Sequence, residues 1–478
     1  MGDGDAGETR MVSAAMGLRP LLRAGPPLLA LALFVFDFWL FAPGLVTFDS
    51  IRQYQEAVSG QYTDTHPPLL AAVWRALLPL SPDARPMLGL NLVLYWGSFA
   101  ALGLYCVRSN PRRLAIAAVL AGLFPFLLSF SGVVWKDVTL AASWGLACAL
   151  LLLSCSSRPD GMAFRVLWTA SALLLIFGAA MRYNAAPAAI ILAIALVQPL
   201  DVSRRLRFFI FALVAATVTL AVPISARLLQ ARDMAPFQNL VQWDLVGISY
   251  FSGQNAQADP PVALRPYSLD CYSPRVNRCP LVEFKNTGEA ISRWRQAIER
   301  EPLAYLKHRV LAFGMLIRFG CKDCRPYVWE SGSKDNPPGL GYRPNVVRKG
   351  LGYVMFQLGK TALARPYAWL VAALGMSLML RGKGRNLDLN VLALIALSGA
   401  VYVLGYAIAT VTDEFRYTYW LIYSVVLVGT ASVFAVGVRW RDLMAWVAVP
   451  VLAAIAVDTL VQYVHPTDGI APSMAAIY

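Results

Sequence analysis

The sequence predicts an all-α integral membrane protein: a polytopic bundle of about eleven transmembrane helices with extracytoplasmic surface helices and a large extracytoplasmic loop region. Three observations predict it. Hydrophobic residues make up 58% of the 478 positions and charged residues only 15%, against about 25% charged in soluble domains. The mean hydropathy is +0.53. The apolar residues fall in long continuous runs and not in alternating ten-residue segments, which argues for helices and against a membrane barrel. Aromatic residues at 12% supply ample material to bury and exclude a disordered chain.

The eleven apolar runs are 27–46, 86–107, 114–130, 138–154, 166–181, 185–199, 208–226, 366–380, 389–410, 418–437 and 443–460. The first follows Asp3, Asp5 and Glu8, is as long as a span, and precedes no small-residue cleavage site. It reads as a transmembrane helix and not as a signal peptide. Basic residues in short loops set the orientation. With the N-terminus cytoplasmic, the inner loops carry Arg108, Arg112, Arg113, Arg158, Arg165, Arg204, Arg205, Arg207, Arg381, Lys383, Arg385, Arg439 and Arg441. The short outer loops carry only Lys136, Arg182 and Arg416, and none of the 42 Lys and Arg residues lies inside a run. Asp37 and Asp458 do lie inside runs, where a carboxylate is costly and has either a functional or a packing role.

This divides the chain into a membrane module (residues 1–226), an extracytoplasmic loop region (residues 227–365) and C-terminal membrane helices (residues 366–478). The first module contains an outer loop at residues 47–85. Region 227–365 holds 20 Lys and Arg against 11 Asp and Glu, a balance of +9 out of the chain's +14. Such a surface suits anionic lipid headgroups or an anionic substrate. Cys271, Cys279, Cys321 and Cys324 all fall in this region, and four outer cysteines predict two disulfides. The local pairing, 271 with 279 and 321 with 324, is the simplest of three connectivities. Cys106, Cys148 and Cys155 lie in or beside spans.

Several chemistries are excluded. Gly359-Lys360-Thr361 imitates the end of a phosphate loop, but Val354 stands where that loop needs glycine. No serine elbow is present. Three histidines, His66, His308 and His465, cannot build a His-rich metal site. The first outer loop is more informative. Asp49, Gln53 and Glu56 share one stripe of a helix, and Ile51, Tyr54 and Val58 share another. That pattern predicts an amphipathic helix at the membrane surface. Asp49 is either a functional acid or a structural one, capping the helix itself or standing beside a capping box of Ser50 and Gln53. Gly60 ends this helix, and His66-Pro67-Pro68-Leu69-Leu70 opens a second surface helix over 69–80. The other short outer loops each combine aromatics with one cation, and two of the three add acids: Trp135-Lys136-Asp137, Arg182-Tyr183, and Glu414-Phe415-Arg416-Tyr417. Taken singly these are ordinary interfacial anchors; their recurrence on one side points to a site.

The acid after the first span, the surface-helix pair, the His-Pro-Pro-Leu-Leu segment and Trp135-Lys136-Asp137 resemble the GT-C superfamily of polytopic glycosyltransferases, which includes protein O-mannosyltransferases and bacterial aminoarabinose transferases. The likeness covers about residues 40–140. Many members have an Asp-Glu pair where this chain has Asp49-Ser50, so a second acid would come from Glu56 or Asp137. The resemblance implies a polyprenyl-phosphate-linked sugar donor, a lipid, glycan or protein acceptor, and an active site on the extracytoplasmic face of a bacterial cytoplasmic membrane. It implies Asp49 as catalytic base. The chemistry of such a transfer suits the residues of the outer loops: Glu56, His66, Lys136, Asp137, Arg182, Tyr183, Glu414, Arg416 and Tyr417 are expected around the substrates, with the three cations as candidates to face the leaving phosphate. Asp49, Asp64 and His66 are candidate ligands for a divalent ion; no other cofactor and no nucleic acid is expected. A transporter or flippase for lipid-linked glycans would carry charges at several depths of the bundle. An O-antigen-type polymerase or ligase would share the layout but not the Asp-to-His-Pro-Pro segment.

Overall fold

A computed structural model describes residues 24–109, 113–257, 262–263, 271–275, 279, 282, 284–321, 340, 345–384 and 386–464. The chain forms α1 (Ala24–Phe41), the short pair α2 (Phe48–Ser59) and α3 (Leu69–Leu77), α4 (Arg85–Ser109), α5 (Arg113–Leu120), α6 (Pro125–Ser131), α7 (Lys136–Cys155), α8 (Met162–Ala179), α9 (Ala186–Val197) and α10 (Arg204–Leu228). Region 227–365 contributes α11 (Phe237–Ser252), α12 (Thr287–Arg300), α13 (Pro302–Ile317) and α14 (Val346–Leu358). Then come α15 (Pro366–Arg381), α16 (Leu387–Leu404), α17 (Tyr406–Ala409), α18 (Tyr419–Phe434), α19 (Trp440–Leu443) and α20 (Val449–Val464). Among the described residues the strands are a two-residue antiparallel pair, Gln254–Asn255 with Val262–Ala263. The protein is an all-α, multi-pass membrane protein.

Eight helical units are long and apolar enough to cross a membrane: α1, α4, α7, α8, α10, α16 with α17, α18 with the 3₁₀ turn before it, and α19 through α20. The other three apolar runs are also helical but depart from single long spans. Run 114–130 is broken between α5 and α6, because Phe124 precedes Pro125 and is forced to ψ 122°. α9 has 12 residues and α15 has 16.

The core of the bundle is α4, α7, α15, α16 and α18. Aromatic edges interlock there, Trp144 against Trp420 at 5.3 Å and Tyr95 against Tyr423 at 5.7 Å. Small residues allow the close approach: a Cβ on Gly399 would lie 2.0 Å from Ser424 Oγ. α1, α10 and α20 instead expose Leu31, Val35, Leu213, Leu452 and Leu460, as lipid-facing helices do. The two carboxylates inside apolar runs are both buried and hydrogen-bonded to neighbouring segments. Asp37 accepts from Trp96 Nε1 (3.1 Å) and Ser131 Oγ (3.0 Å). Asp458 accepts from Gly320 N–H (2.5 Å), Tyr367 OH (2.9 Å) and Gln462 Nε2 (2.8 Å).

The surface-helix pair is present, with two corrections. The cap of α2 is Thr47, in a reciprocal capping box with Ser50, so neither Asp49 nor Gln53 is used as a cap. The polar stripe faces inward: Gln53 and Glu56 are buried and Asp49 half-buried, with Ser50 buried beside them, whereas Val58 of the apolar stripe is exposed. The reason is that α2 packs on the end of the bundle, where Ser50 Oγ donates to Val134 O at 2.7 Å. Gly60 ends α2 at φ 73°, and Arg75 of α3 donates to Ala57 O and Val58 O. These carbonyls are the free acceptors of a helix C-terminus, which favours a cation. α3 ends at Leu77, three residues short of the expected 69–80 segment.

Cys271 and Cys279 form a disulfide, the local pairing expected from sequence. Cys321 is also disulfide-bonded, and Cys324 lies outside the described residues. Cys106, Cys148 and Cys155 are free thiols. Thiol labelling of unfolded, unreduced protein is therefore expected to count three cysteines of the seven; a count of seven would contradict the disulfides of region 227–365.

Candidate functional site

Five segments meet at one end of the bundle. The exit of α1 is tied to the approach of α7 by Leu45 N–H to Gly132 O and Val134 N–H to Leu45 O, each 2.9 Å. This brings the first turn of α2 beside the first turn of α7. The turn before α3 supplies His66, the α8–α9 turn supplies Arg182, and the segment between α17 and α18 supplies Glu414, Arg416 and Tyr417.

Asp49 lies in the first turn of α2, where the helix dipole favours an acid. Its Oδ2 is 2.7 Å from Arg416 NH1, and its Oδ1 is 3.7 Å from His66 Nε2. Arg416 also contacts Glu414 through Nε and lies over the Trp135 ring at 4.9 Å. Trp135 is itself fixed by its Nε1–H to Thr47 Oγ1 at 2.7 Å. Arg182 pairs with Asp137 and lies over Tyr417 at 4.5 Å. Lys136 Nζ is 2.6 Å from His66 Nδ1. An ammonium has only donors, so His66 Nδ1 is the acceptor and the ring proton sits on Nε2, facing Asp49.

The electrostatics follow from this wiring. Burial alone would raise the Asp49 carboxyl, but Arg416, then Lys136 and His66, outweigh it and hold the group well below the usual carboxylate range. Burial, then the Lys136 charge, pushes His66 down to about 3. The His66–Asp49 contact is therefore that of a neutral ring with an ionised acid. Burial raises Glu414 despite Arg416. Lys136 occupies the first position of α7, is nearly buried, and sits at a helix end that disfavours cations.

A pH prediction follows. The folded state keeps His66 neutral, while the unfolded state protonates it near 6.5. Between about pH 6.5 and pH 3 the unfolded chain binds the extra proton, so stability falls as pH falls through that window, by about 2 kcal/mol at pH 5. Asp49, depressed in the fold, adds a further loss only below about pH 4. The unfolding midpoint in detergent is expected to drop between pH 7 and pH 5 in the native protein and to drop less in His66→Gln. Parallel curves would contradict a neutral His66.

Of the residues expected from sequence, Asp49, His66, Lys136, Asp137, Arg182, Glu414, Arg416 and Tyr417 form one linked cluster. Glu56 and Tyr183 are not linked directly to it. Glu56 accepts from Thr63 Oγ1 at 2.5 Å, and the half-exposed Tyr183 donates to Asp64 O at 2.6 Å. Asp64 accepts from Met234 N–H at 2.6 Å. Among the described residues no group of three or more His, Cys, Asp or Glu could hold a metal ion, so Asp49, Asp64 and His66 do not assemble as ligands. Sequence reading missed Tyr406, whose ring is stacked on Tyr417 at 4.8 Å and which lies inside an apolar run that conceals it. It also missed Thr47 and the arginines of region 227–365 described below. No protein-family model, curated protein or solved structure matches the chain.

Proposed function

We propose that the protein is an inverting glycosyltransferase of the GT-C type, moving a sugar from a polyprenyl-phosphate donor to a lipid, glycan or protein acceptor at the outer face of a bacterial cytoplasmic membrane. One observation carries the reading. Arg182 and Arg416 each have a carboxylate partner, but among the described residues Lys136 hydrogen-bonds to the neutral His66 ring and makes no ion pair. An almost buried ammonium at a helix N-terminus, next to an ionised carboxylate, suits an anionic leaving group beside a proton acceptor.

The chemistry balances on these residues. The acceptor hydroxyl gives its proton to Asp49 as its oxygen bonds to the anomeric carbon. The bond from that carbon to the phosphate oxygen breaks on the opposite face, and polyprenyl phosphate leaves with the electron pair. Lys136 and Arg416 take up the added charge. Asp49 held this far down is a weak base in the free site. A phosphate that draws Lys136 and Arg416 to itself releases Asp49 and raises its basicity when the donor is bound. Polyprenyl phosphate is therefore expected to raise the thermal midpoint of the protein, whereas the phosphate-free polyprenol is not. Equal stabilisation by both would leave an apolar lipid contact and remove the phosphate from the account.

The same reading places the N-terminus in the cytoplasm, makes α9, α15 and the broken α5–α6 unit complete eleven crossings, and puts region 227–365 outside. Reporter fusions at Gly253 and Gly382 are expected to mark opposite sides of the membrane. Two cytoplasmic readouts would refute the orientation.

A further inference from the structure

The segment that carries Arg416 is gripped from the outer region. It runs from Thr410, at the end of α17, to Thr418, at the start of α18. α13 reaches it first. Arg309, buried to 4% exposure, donates from NH1 to Thr410 O at 2.8 Å. That arginine is fixed in turn: its NH2 is 2.6 Å from Asp244 Oδ1 on α11, and the fully buried Asp244 also accepts from Trp294 Nε1 on α12 at 2.8 Å. Three outer helices thus converge on one carbonyl of the segment.

A second grip lies three residues on. Asp413 N–H donates to Arg275 O at 3.0 Å, and the Arg275 guanidinium is 3.7 Å from Asp413 Oδ2. Arg275 stands between Cys271 and Cys279, inside the short loop that their disulfide closes. A crosslinked loop has few conformations, so it holds an anchor better than an open one. A third arginine, Arg318 at the end of α13, lies over the Phe415 ring at 5.0 Å. Arg416 follows directly, with its 2.7 Å contact to Asp49.

We propose that Arg309, through Thr410, and Arg275, through Asp413, are positioning residues for Arg416, so that the outer region sets the geometry of Arg416 against Asp49. This rests on the transferase reading for its kinetic consequence, but the grip itself does not. Region 227–365 then acts as a brace for the site, with its basic residues spent on holding a neighbouring segment as well as facing headgroups or substrate. A guanidinium fork is well shaped for such a grip, because one arm can take a carboxylate while another takes a carbonyl in a fixed plane, which the single ammonium of a lysine cannot match.

The test uses full-length protein in detergent or nanodiscs, with two readouts. Arg309→Ala is expected to lower kcat at least about tenfold with the donor KM within about twofold, since a misplaced Arg416 harms the reacting geometry more than donor capture. Arg309→Lys is expected to recover part of the loss. Should Arg309→Ala fail to fold, the partly exposed Arg275–Asp413 pair gives the second handle. Arg275→Asp and Asp413→Arg are each expected to lower kcat, and the double exchange to recover more than either single variant. Hydrogen exchange over residues 410–418 is expected to quicken in Arg275→Asp and to slow again in the exchange variant. Unchanged exchange over 410–418 overturns the proposal, as does kcat within about twofold of the native value in Arg275→Asp and Asp413→Arg. If the native protein transfers no sugar, the transferase reading fails by itself and hydrogen exchange alone decides the grip.

Discussion

Asp49→Asn is expected to lower transfer by at least about two orders of magnitude in a protein that inserts and folds normally. General-base assistance is worth about 10²–10⁴ in rate, and the amide cannot supply it. The substitution is mild for the fold. Asn matches Asp in size, and the cap of α2 is Thr47 with Ser50, so the helix keeps its start. Arg416 retains Glu414 as a partner. The measurement is turnover under donor saturation, with expression and thermal midpoint as controls. Near-native turnover in a well-folded variant would make Asp49 a counter-ion for Arg416 and remove it as the base.

Lys136→Gln is expected to raise the donor KM by about one to two orders of magnitude, the loss of one charge-assisted hydrogen bond worth about 1.5–3 kcal/mol. The folding cost is small because Lys136 holds no carboxylate within ion-pair distance among the described residues, and Gln can still donate to His66 Nδ1. Arg416 provides the contrast. It sits between Asp49 and Glu414, so Arg416→Ala leaves two acids without their cation and is expected to cost stability as well, about 3–5 kcal/mol where such a pair is buried. A Lys136→Gln enzyme with an unchanged donor KM would take the phosphate away from Lys136.

The helical membrane class was legible because lipid forces long apolar runs, and each run is written openly in the sequence. The candidate cluster was legible as a set of residue types: acids, cations and aromatics in short loops, a pattern that does not depend on knowing contacts. Three things were not legible. The break at Phe124-Pro125 hid within a run that hydropathy averages over. The inward turn of the α2 polar stripe followed from a tertiary contact, Ser50 to Val134, with a residue 84 positions away. The pairing of Arg309 with Thr410 spans 101 positions and joins a residue in the charged region 227–365 to a plain backbone carbonyl, which has no sequence signature at all. Tyr406 illustrates the same limit at short range, since an aromatic inside an apolar run looks like core until its ring is seen against Tyr417.

The central claim is that Asp49 and Lys136 act on a phosphate-linked sugar and its acceptor. Purified protein incubated with a panel of polyprenyl-phosphate sugars tests it directly, by measuring free polyprenyl phosphate formed in the presence of membrane-derived lipid, glycan and protein acceptors. At least one donor is expected to yield polyprenyl phosphate in step with glycosylated acceptor, and Asp49→Asn is expected to yield almost none. Release that is absent with every donor, or that is equal in the native protein and in Asp49→Asn, would contradict the account.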